Sequence, residues 1–295
     1  MRHLENAFKF TFKNFLLTLP LLISLAIPAL ITGVGSLGFL AHRGTLIENF
    51  RRAMENLTNG GYYNYGDLFA GIDMSSIIVS SIISGLLSFV FMLLVRPATY
   101  GLINLHYETG DAKLNDFSRC MSKYIGRFVI YGLLNIAIGI GVAIAFMILI
   151  FVGVFVSTII LPLGIILLIG FTLGGIVGTV ALYNYMALWF PAVCVEDSDV
   201  IDGLKNSFRY VKGNFWPILG ITILVNLCGS IAGSILGGII GLIPVVGSIV
   251  APVITGLAEF ILIVFYFEVY RERTGRYAIP EPPKQFDGFQ NGGVQ

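Results

Sequence analysis

The stretch LKNSFRYVKGNFWPIL, residues 204–219, decides the fold of this chain because the N-terminus carries a second version of it. At an offset of 200 positions it aligns with LENAFKFTFKNFLLTL, residues 4–19, so that Asn206 falls on Asn6. A weaker third copy, FSRCMSKYIGRFVIYGLL, begins at Phe117. Each copy leads into a pair of long apolar runs. The sequence therefore predicts one unit used three times, an amphipathic helix followed by a two-helix hairpin.

Within the unit, apolar and basic residues segregate at helical spacing, which is typical of a helix lying along a membrane surface with its apolar side down. We expect such a helix to act as an elbow that orients the following span. Two alternatives stay open, namely that it gathers anionic lipid or that it pairs with a soluble protein. The predicted interfacial basic residues of the three copies are Lys9, Lys13, Arg119, Lys123, Lys205, Arg209 and Lys212.

The composition indicates a polytopic membrane protein. Hydrophobic residues make up 56% of the 295 positions and charged residues 12%, and the mean hydropathy is +0.85. A hydrocarbon layer about 30 Å thick requires about 20 helical residues. Alternating strands of an outer-membrane barrel are absent from the sequence pattern. The fold class is therefore predicted as all-α with six transmembrane helices, near 15–41, 76–100, 128–153, 160–190, 215–240 and 247–268.

The domain organisation follows from the repeats. Residues 1–275 form one six-helix transmembrane domain, and residues 276–295 form a tail that we expect to be disordered and cytoplasmic because of its polar, Pro- and Gly-containing composition. The first apolar run carries no cleavage motif, so we expect it to be retained as a span. The repeats cover 4–110, 114–198 and 204–275, and the outer loop covers 42–75. This loop contains a predicted helix, TLIENFRRAMENL, interpreted as an interfacial spacer or as a lid.

The distribution of Lys and Arg predicts the orientation. Most of the 18 basic residues lie in the N-terminal, second, fourth and C-terminal segments between or beside the spans. Positively charged loops resist translocation. We therefore expect both termini to be cytoplasmic, in the plasma membrane of a bacterium.

Small residues recur every fourth position in three of the predicted spans. Such series form shallow grooves in which a second backbone approaches closely, and this is how helices associate inside a bilayer. We expect all three series to be helix contacts, and the alternative is that a glycine groove slides or opens around a substrate. They are Ser76, Ser80, Ser84 and Ser88; Gly170, Gly174 and Gly178; and Gly229, Gly233, Gly237 and Gly241.

Glu259 is the most unusual residue of the predicted spans, because an ionisable side chain at that depth is costly and marks a paired structural site or a polar pathway. Aligning the hairpin ends through Tyr107 and Tyr270 brings Arg96 to the level of Glu259, and a similar alignment brings Asn184 to the same level. We therefore predict an intramembrane polar layer of Arg96, Asn184 and Glu259. The alternative is that Arg96 extends to the interface and Glu259 is protonated.

The sequence gives no support for a familiar catalytic or cofactor site, since its one G-x-G-x-x-G pattern, at Gly33, Gly35 and Gly38, closes an apolar helix rather than following a strand. It contains no phosphate-binding G-x-x-x-x-G-K-[ST], no H-E-x-x-H and no G-x-S-x-G pattern. The three cysteines are scattered without metal-ligand spacing. We expect neither catalysis, a cofactor nor a metal, and we expect no nucleic-acid partner.

The stretch 204–219, the acidic VEDSDVIDG before it and the terminal FYFEVYRERTG resemble the membrane domain that precedes the catalytic barrel in some bacterial glycerophosphodiester phosphodiesterases, and its stand-alone relatives. The resemblance covers most of the chain and implies membrane embedding and a link with lipids. In those enzymes the separate soluble barrel performs hydrolysis. The sequence ends 25 residues after Tyr270, so we expect no such barrel, and no family catalytic residue is carried over.

The sequence therefore favours a non-enzymatic membrane protein that acts as a scaffold or accessory factor at the lipid interface. Its expected partners are membrane lipids, with anionic lipids as one alternative, and an unknown protein. The alternative is a small permease or lipid-handling transporter whose path is lined by Arg96 and Glu259. A cavity that reaches the middle of the membrane separates the two hypotheses, since a transporter needs one and a scaffold does not.

Overall fold

The computed structural model describes residues 2–37, 42–60, 62, 65–70, 74–241 and 243–276. Helices occupy most of these residues, and no strand occurs among them. Six helices in the described chain are long and apolar enough to cross a membrane, which confirms the predicted all-helical, multi-span class. In chain order the helices are α1 (Arg2–Lys13), α2 (Leu19–Gly35), α3 (Arg43–Thr58), α4 (Ser75–Thr109), α5 (Phe117–Ile159), α6 (Leu161–Met186), α7 (Trp189–Glu196), α8 (Val200–Val211), α9 (Phe215–Ile240) and α10 (Pro244–Arg273).

The six spans pack in an order that differs from their order in the chain. Helix α9 packs on α10, α10 on α2, α2 on α4, α4 on α5 and α5 on α6. Helices α6 and α9, at the two ends of this series, touch at only a few points. The bundle is therefore an open series of helices with a gap between α6 and α9.

The buried core lies at one end of the bundle, where α4 and α10 finish and where α5 and α9 begin. We call this the basic end, since the seven predicted interfacial basic residues lie on the helices that meet there. The other halves of the spans expose large apolar side chains, which is the expected surface of a protein surrounded by lipid. Core members include Leu102, Tyr124, Trp189, Phe190, Val211, Ile218, Phe267 and Tyr270.

Helix α7 is a short helix that the sequence reading did not separate from the fourth span. A break at Ala187 and Leu188 divides it from α6, and its residues from Trp189 to Val195 are all buried. The indole Nε1 of Trp189 donates to the carbonyl of Val200 at 2.6 Å, which ties α7 to α8. The apolar sequence of this segment predicted burial in the membrane, whereas the segment is buried in the protein core at the basic end of the bundle.

The three predicted elbows differ in structure. Helices α1 and α8 are separate from the spans they precede, but the third copy is continuous with its span in α5, so the prediction of a separate interfacial helix there was wrong. Asn14 and Asn214 end the two separate elbows, and each side chain donates to the backbone four residues earlier. The third copy has Arg127 at this position, which is a better helix former and lets the helix continue.

Two of the three small-residue series form the predicted helix contacts. On α4, Ser84 Oγ donates to the carbonyl of Pro28 on α2 at 2.9 Å. On α9, a Cβ added to Gly229 would lie 2.6 Å from the Cβ of Ala258 on α10. The close approach at these positions requires small residues.

The prediction was wrong for the glycine series of α6. A Cβ at Gly170, Gly174 or Gly178 would meet nothing within 4 Å among the described residues. Helix α6 uses another side of its surface to pack on α5, where Gly164 lies against Ser157. The four-residue spacing of small residues indicates a groove on each helix, but it does not show which groove another helix packs into.

The outer segment contains the predicted helix, here α3. Its exposed apolar side chains, including Ile47, Phe50 and Met54, recur along one side, while Glu48 pairs with Arg52 on another. This amphipathic pattern fits the spacer at the interface. Residues 277–295 of the predicted tail lie outside the described residues.

Candidate intramembrane binding site

Arg96 and Glu259 form an ion pair between α4 and α10. Arg96 Nη2 lies 2.8 Å from Glu259 Oε1, and the side chains are 35% and 32% exposed. The two residues that the repeat offset placed at one level are therefore in contact. A pair of opposite charges is the arrangement that makes two ionisable groups tolerable inside a bilayer.

The pair lies deep in the bundle. Glu259 is midway along α10 and about 20 Å from its C-terminal end at a rise of about 1.5 Å per residue. Arg96 is a similar distance from the end of α4. Pro97 follows Arg96 within α4 and removes one backbone donor there. Both charges thus lie well inside their transmembrane helices rather than near the helix ends.

Arg96 also lines a cavity of about 500 Å³ between α4 and α5 that reaches Tyr183 on α6. Most of its wall is apolar, including Phe89 and Leu133. Cavities of this size with a few convergent polar groups are typical of sites for small amphiphilic molecules. We call this space the arginine cavity.

Several aromatic hydroxyl groups accompany the ion pair. Tyr100 and Tyr131 line the arginine cavity, and Tyr131 OH accepts a hydrogen bond from Asn135 Nδ2 at 3.4 Å. Asn135 therefore belongs to the cavity wall.

Asn184, the third member of the predicted layer, points elsewhere. It is 5% exposed, and its Nδ2 donates to the carbonyl of Phe215 on α9 at 3.0 Å. Its Oδ1 is buried and has no hydrogen-bond partner among the described residues. Leaving an acceptor unpaired in this way costs about 1–3 kcal/mol. The structure therefore does not bring Asn184 into hydrogen-bond contact with the Arg96–Glu259 pair.

Asn184 instead lines a separate cavity of about 350 Å³ at the gap between α6 and α9, which we call the gap cavity. Thr222 and Tyr266 also line it, and their hydroxyl oxygens lie 2.9 Å apart. Tyr183 borders both this cavity and the arginine cavity. The two spaces are therefore neighbours.

The seven predicted interfacial basic residues are all exposed at the basic end. Three of them form ion pairs, Lys9 with Glu5, Lys205 with Asp202 and Lys123 with Asp197, while the others extend from the same surface. Exposed pairs of this kind contribute little stability, about 0–1 kcal/mol each. The remaining four are Lys13, Arg119, Arg209 and Lys212.

Sequence reasoning missed a set of glutamates at the basic end. Glu196, the last residue of α7, accepts a hydrogen bond from Asn206 Nδ2 at 2.6 Å and another from Tyr270 OH at 2.5 Å. These bonds connect α7, α8 and α10. They fix the position of the elbow helix relative to the core.

A second group repeats this pattern. Glu268 on α10 accepts from Asn6 Nδ2 at 3.3 Å and from the hydroxyl of Tyr107. Asn6 aligns with Asn206, and Tyr107 with Tyr270, at the offsets found in the sequence. The similar segments HYETG, residues 106–110, and YRERTG, residues 270–275, could have identified both tyrosines as structural residues.

Arg271 is a further buried charge, which the sequence pattern counted only among the basic residues of the C-terminal segment. Its side chain is 7% exposed, lies 3.7 Å from Glu108 and donates from Nη2 to Asn104 Oδ1 at 2.7 Å. The guanidinium also lies over the Tyr107 ring, 5.2 Å from its centre. These contacts surround it with packed side chains, which indicates a structural role.

The described residues contain no group of three or more His, Cys, Asp or Glu side chains that could hold a metal ion. The three cysteines are free thiols, and Cys120 and Cys194 are buried. What the central region offers chemically is one charge pair, several hydroxyls and amides, and apolar walls. Such groups bind and orient a ligand.

Comparison with known proteins gives one match. No curated protein and no solved structure matches the chain. Residues 64–270 match a domain of unknown function, DUF7847. This range includes Arg96, Asn184, Glu259 and both cavities, and it covers more than half of the sequence. The chain therefore belongs to the DUF7847 family.

Proposed function

We propose that the protein handles a lipid-like molecule in the membrane and binds the anionic headgroup of this amphiphile beside Arg96. The observation that carries the proposal is that a charged side chain of a span lines an apolar cavity of about 500 Å³. A scaffold needs no such space, whereas a carrier or receptor for a lipid does.

The guanidinium of Arg96 provides the chemistry for recognition. Arginine has five N–H donors in a planar fork that matches a carboxylate or a phosphate. Within the described chain its ion-pair partner is Glu259, which contacts Nη2. A ligand anion would share or replace that partner, while Phe89 and Leu133 would contact its alkyl chain.

A photoactivatable fatty acid in nanodiscs tests this function. We expect it to label peptides of α4 and α5, and Arg96→Gln to reduce labelling by at least about tenfold, since a charge-assisted hydrogen bond contributes about 1.5–3 kcal/mol. Arg127→Gln is the matched control, because Arg127 is also a paired arginine of a span, with Asp197 as its partner, but does not line the arginine cavity. Equal labelling of wild type and Arg96→Gln would contradict the proposal.

A scaffold or accessory role at the lipid interface is the second candidate. It is supported by the seven exposed basic residues and by exposed aromatic side chains beside them, such as Phe12 and Trp216. Each base near an anionic surface contributes about 1 kcal/mol. Native mass spectrometry after extraction from vesicles of mixed phosphatidylglycerol and phosphatidylcholine would measure the preference.

For that experiment we expect the triple change Lys205→Gln, Arg209→Gln and Lys212→Gln to reduce the excess of retained phosphatidylglycerol. The control changes Arg51→Gln and Arg52→Gln remove charge from α3, which lies away from the basic end. The same reduction in both variants would show that net charge, and not the elbow, selects the lipid.

The proposed topology places the basic end in the cytoplasm of a bacterial cell, with both termini on that side. The clustering of basic residues supports it through the positive-inside tendency. Cysteines introduced at Asn59 and Lys212 test it. An impermeant thiol reagent added to intact cells should label the first and not the second.

The same proposal includes a chain built from three repeats of one unit and the handling of a lipid without a catalysed reaction. The Asn–Glu–Tyr contacts around Glu196 and Glu268 support the unit, because their asparagines and their tyrosines stand at repeat offsets. The resemblance to the membrane domains of phosphodiesterases supports the connection with lipids. Handling of a lipid without hydrolysis requires only binding groups, and the arginine cavity contains such groups.

A further inference from the structure

The gap cavity differs from the arginine cavity in its chemistry. No charged side chain is among its lining residues in the described chain. Its polar groups are the amide of Asn184 and the hydroxyls of Thr179, Tyr183, Thr222 and Tyr266, and its remaining wall is apolar. An ion has no counter-charge here, so a ligand of this cavity would be uncharged.

Hydrogen bonding in the cavity is incomplete in a specific way. The Oδ1 of Asn184 is a buried acceptor without a partner. The hydroxyls of Thr222 and Tyr266 bond to each other, which uses one of their two protons and leaves the other free to donate. The site therefore provides one hydrogen-bond acceptor and one donor. A hydroxyl group of a ligand can donate to the first and accept from the second.

The position of the cavity indicates where the ligand comes from. Helices α6 and α9 have few contacts with each other, although each packs closely on its other neighbour. Tyr183 and Ile223 line the cavity and are 47% and 52% exposed on the lateral surface of the spans. A molecule in the bilayer can therefore enter from the side, and slight separation of α6 and α9 opens the way to Asn184.

We propose that the gap between α6 and α9 is a lateral site for a neutral lipid with a free hydroxyl group, such as a monoacylglycerol. The hydroxyl donates to Asn184 Oδ1 and accepts from the Thr222–Tyr266 pair. The alkyl chain extends between α6 and α9 toward the bilayer. This inference does not depend on binding of an anion at Arg96.

The experiment uses the full chain in nanodiscs with a photoactivatable monoacylglycerol as the probe. We expect it to label peptides of α6 and α9, and its fully O-methylated analogue, which has no hydroxyl donor, to label them about tenfold less. The ratio reflects the loss of one hydrogen bond to a buried acceptor. Equal labelling by the two probes would overturn the assignment, since the apolar gap alone would then account for binding.

Two variants, the first with a matched control, locate the site. Ile223→Trp fills the cavity and should abolish labelling, while Leu227→Trp, one turn further along α9 and outside the cavity lining, should retain it. Thr222→Val keeps the shape and removes a hydroxyl, so it should reduce the preference for the hydroxyl probe. Retained labelling in Ile223→Trp would overturn the proposal.

One further variant separates this inference from the proposed function. Arg96→Gln should lose the fatty-acid probe and retain the monoacylglycerol probe. Loss of both probes in a correctly folded Arg96→Gln protein would contradict a separate neutral site. Failure of the fatty acid to bind the wild type, with the monoacylglycerol still bound at α6 and α9, would contradict only the function proposed for Arg96.

Discussion

Arg96 and Glu259 are 163 positions apart in the sequence, yet Nη2 of the first lies 2.8 Å from Oε1 of the second. The pair joins α4, the last span of the first predicted repeat, to α10, the last span of the third predicted repeat. Each charge makes the other tolerable in a region where water is scarce. Whatever binds in the arginine cavity encounters a charge that is already partly neutralised.

Removal of one partner of this pair should destabilise the protein more than removal of both. We expect Glu259→Gln or Arg96→Gln to lower stability by about 2 kcal/mol, less than the roughly 3–5 kcal/mol for a fully buried pair because each side chain is about one-third exposed. The double variant should recover part of the loss. Thermal unfolding in detergent measures all three, and additive losses would contradict direct coupling.

Glycine substitutions should distinguish the filled groove from the open one. Gly229→Leu places a side chain against Ala258, where even a Cβ would be 2.6 Å away, and we expect a loss of about 1–3 kcal/mol. Gly174→Leu is the control, because no described atom lies within 4 Å of its added Cβ. Its effect should be near zero or slightly stabilising through helix propensity. Similar losses at both sites, measured by thermal unfolding in detergent, would contradict the packing.

The two tyrosines at repeat-related positions should contribute alike. Tyr270→Phe removes the hydroxyl that donates to Glu196, and Tyr107→Phe removes the one that donates to Glu268. A hydrogen bond to a charged group contributes about 1.5–3 kcal/mol, so we expect losses in this range. Tyr62→Phe is the control, since that side chain is fully exposed in the outer segment. Strongly unequal losses in thermal unfolding would argue against structural equivalence.

Hydropathy predicted the existence of the six spans because burial in lipid requires long apolar segments, and the described helices agree with it. The repeat offset predicted the contact of Arg96 with Glu259 because equivalent positions in similar hairpins lie at similar depths. The same argument placed Asn184 at that depth, but depth does not fix the direction around a helix axis. The side chain of Asn184 points to α9 and the gap.

Other features depend on packing that composition does not encode. The apolar segment of α7 is compatible with lipid as well as with a protein core, and only its contacts with α8 distinguish the two. The glycines at Gly170 and Gly174 predicted a groove but not whether another helix fills it. The gap between α6 and α9 follows from the way all six spans pack, so no local pattern in the sequence reveals it.

In the connection between α7 and α8, Asp197 should make the stability of the protein depend on pH and on the backbone conformation of this residue. Asp197 adopts a left-handed conformation with φ of 51°, and its carboxylate contacts Arg127 and Lys123. The hydrogen bond from Arg127 is the main cause that lowers the pKa of Asp197 below its ordinary value of 3.8. Since the folded pKa is lowered, the stabilisation is present above 3.8 and is lost as the pH falls through the folded value.

Two variants at this position separate charge from conformation. Asp197→Asn tolerates the left-handed backbone and should lose less than about 1 kcal/mol at neutral pH, since the side chain is 57% exposed. Asp197→Ala should lose about 1–2 kcal/mol more because of backbone strain. In thermal unfolding between pH 3 and 8, the difference between wild type and Asp197→Asn should shrink toward the acid limit, because protonation removes the same charge. The difference between the Asn and Ala variants should stay constant, and a pH dependence of that difference would show that strain and charge are coupled at Asp197.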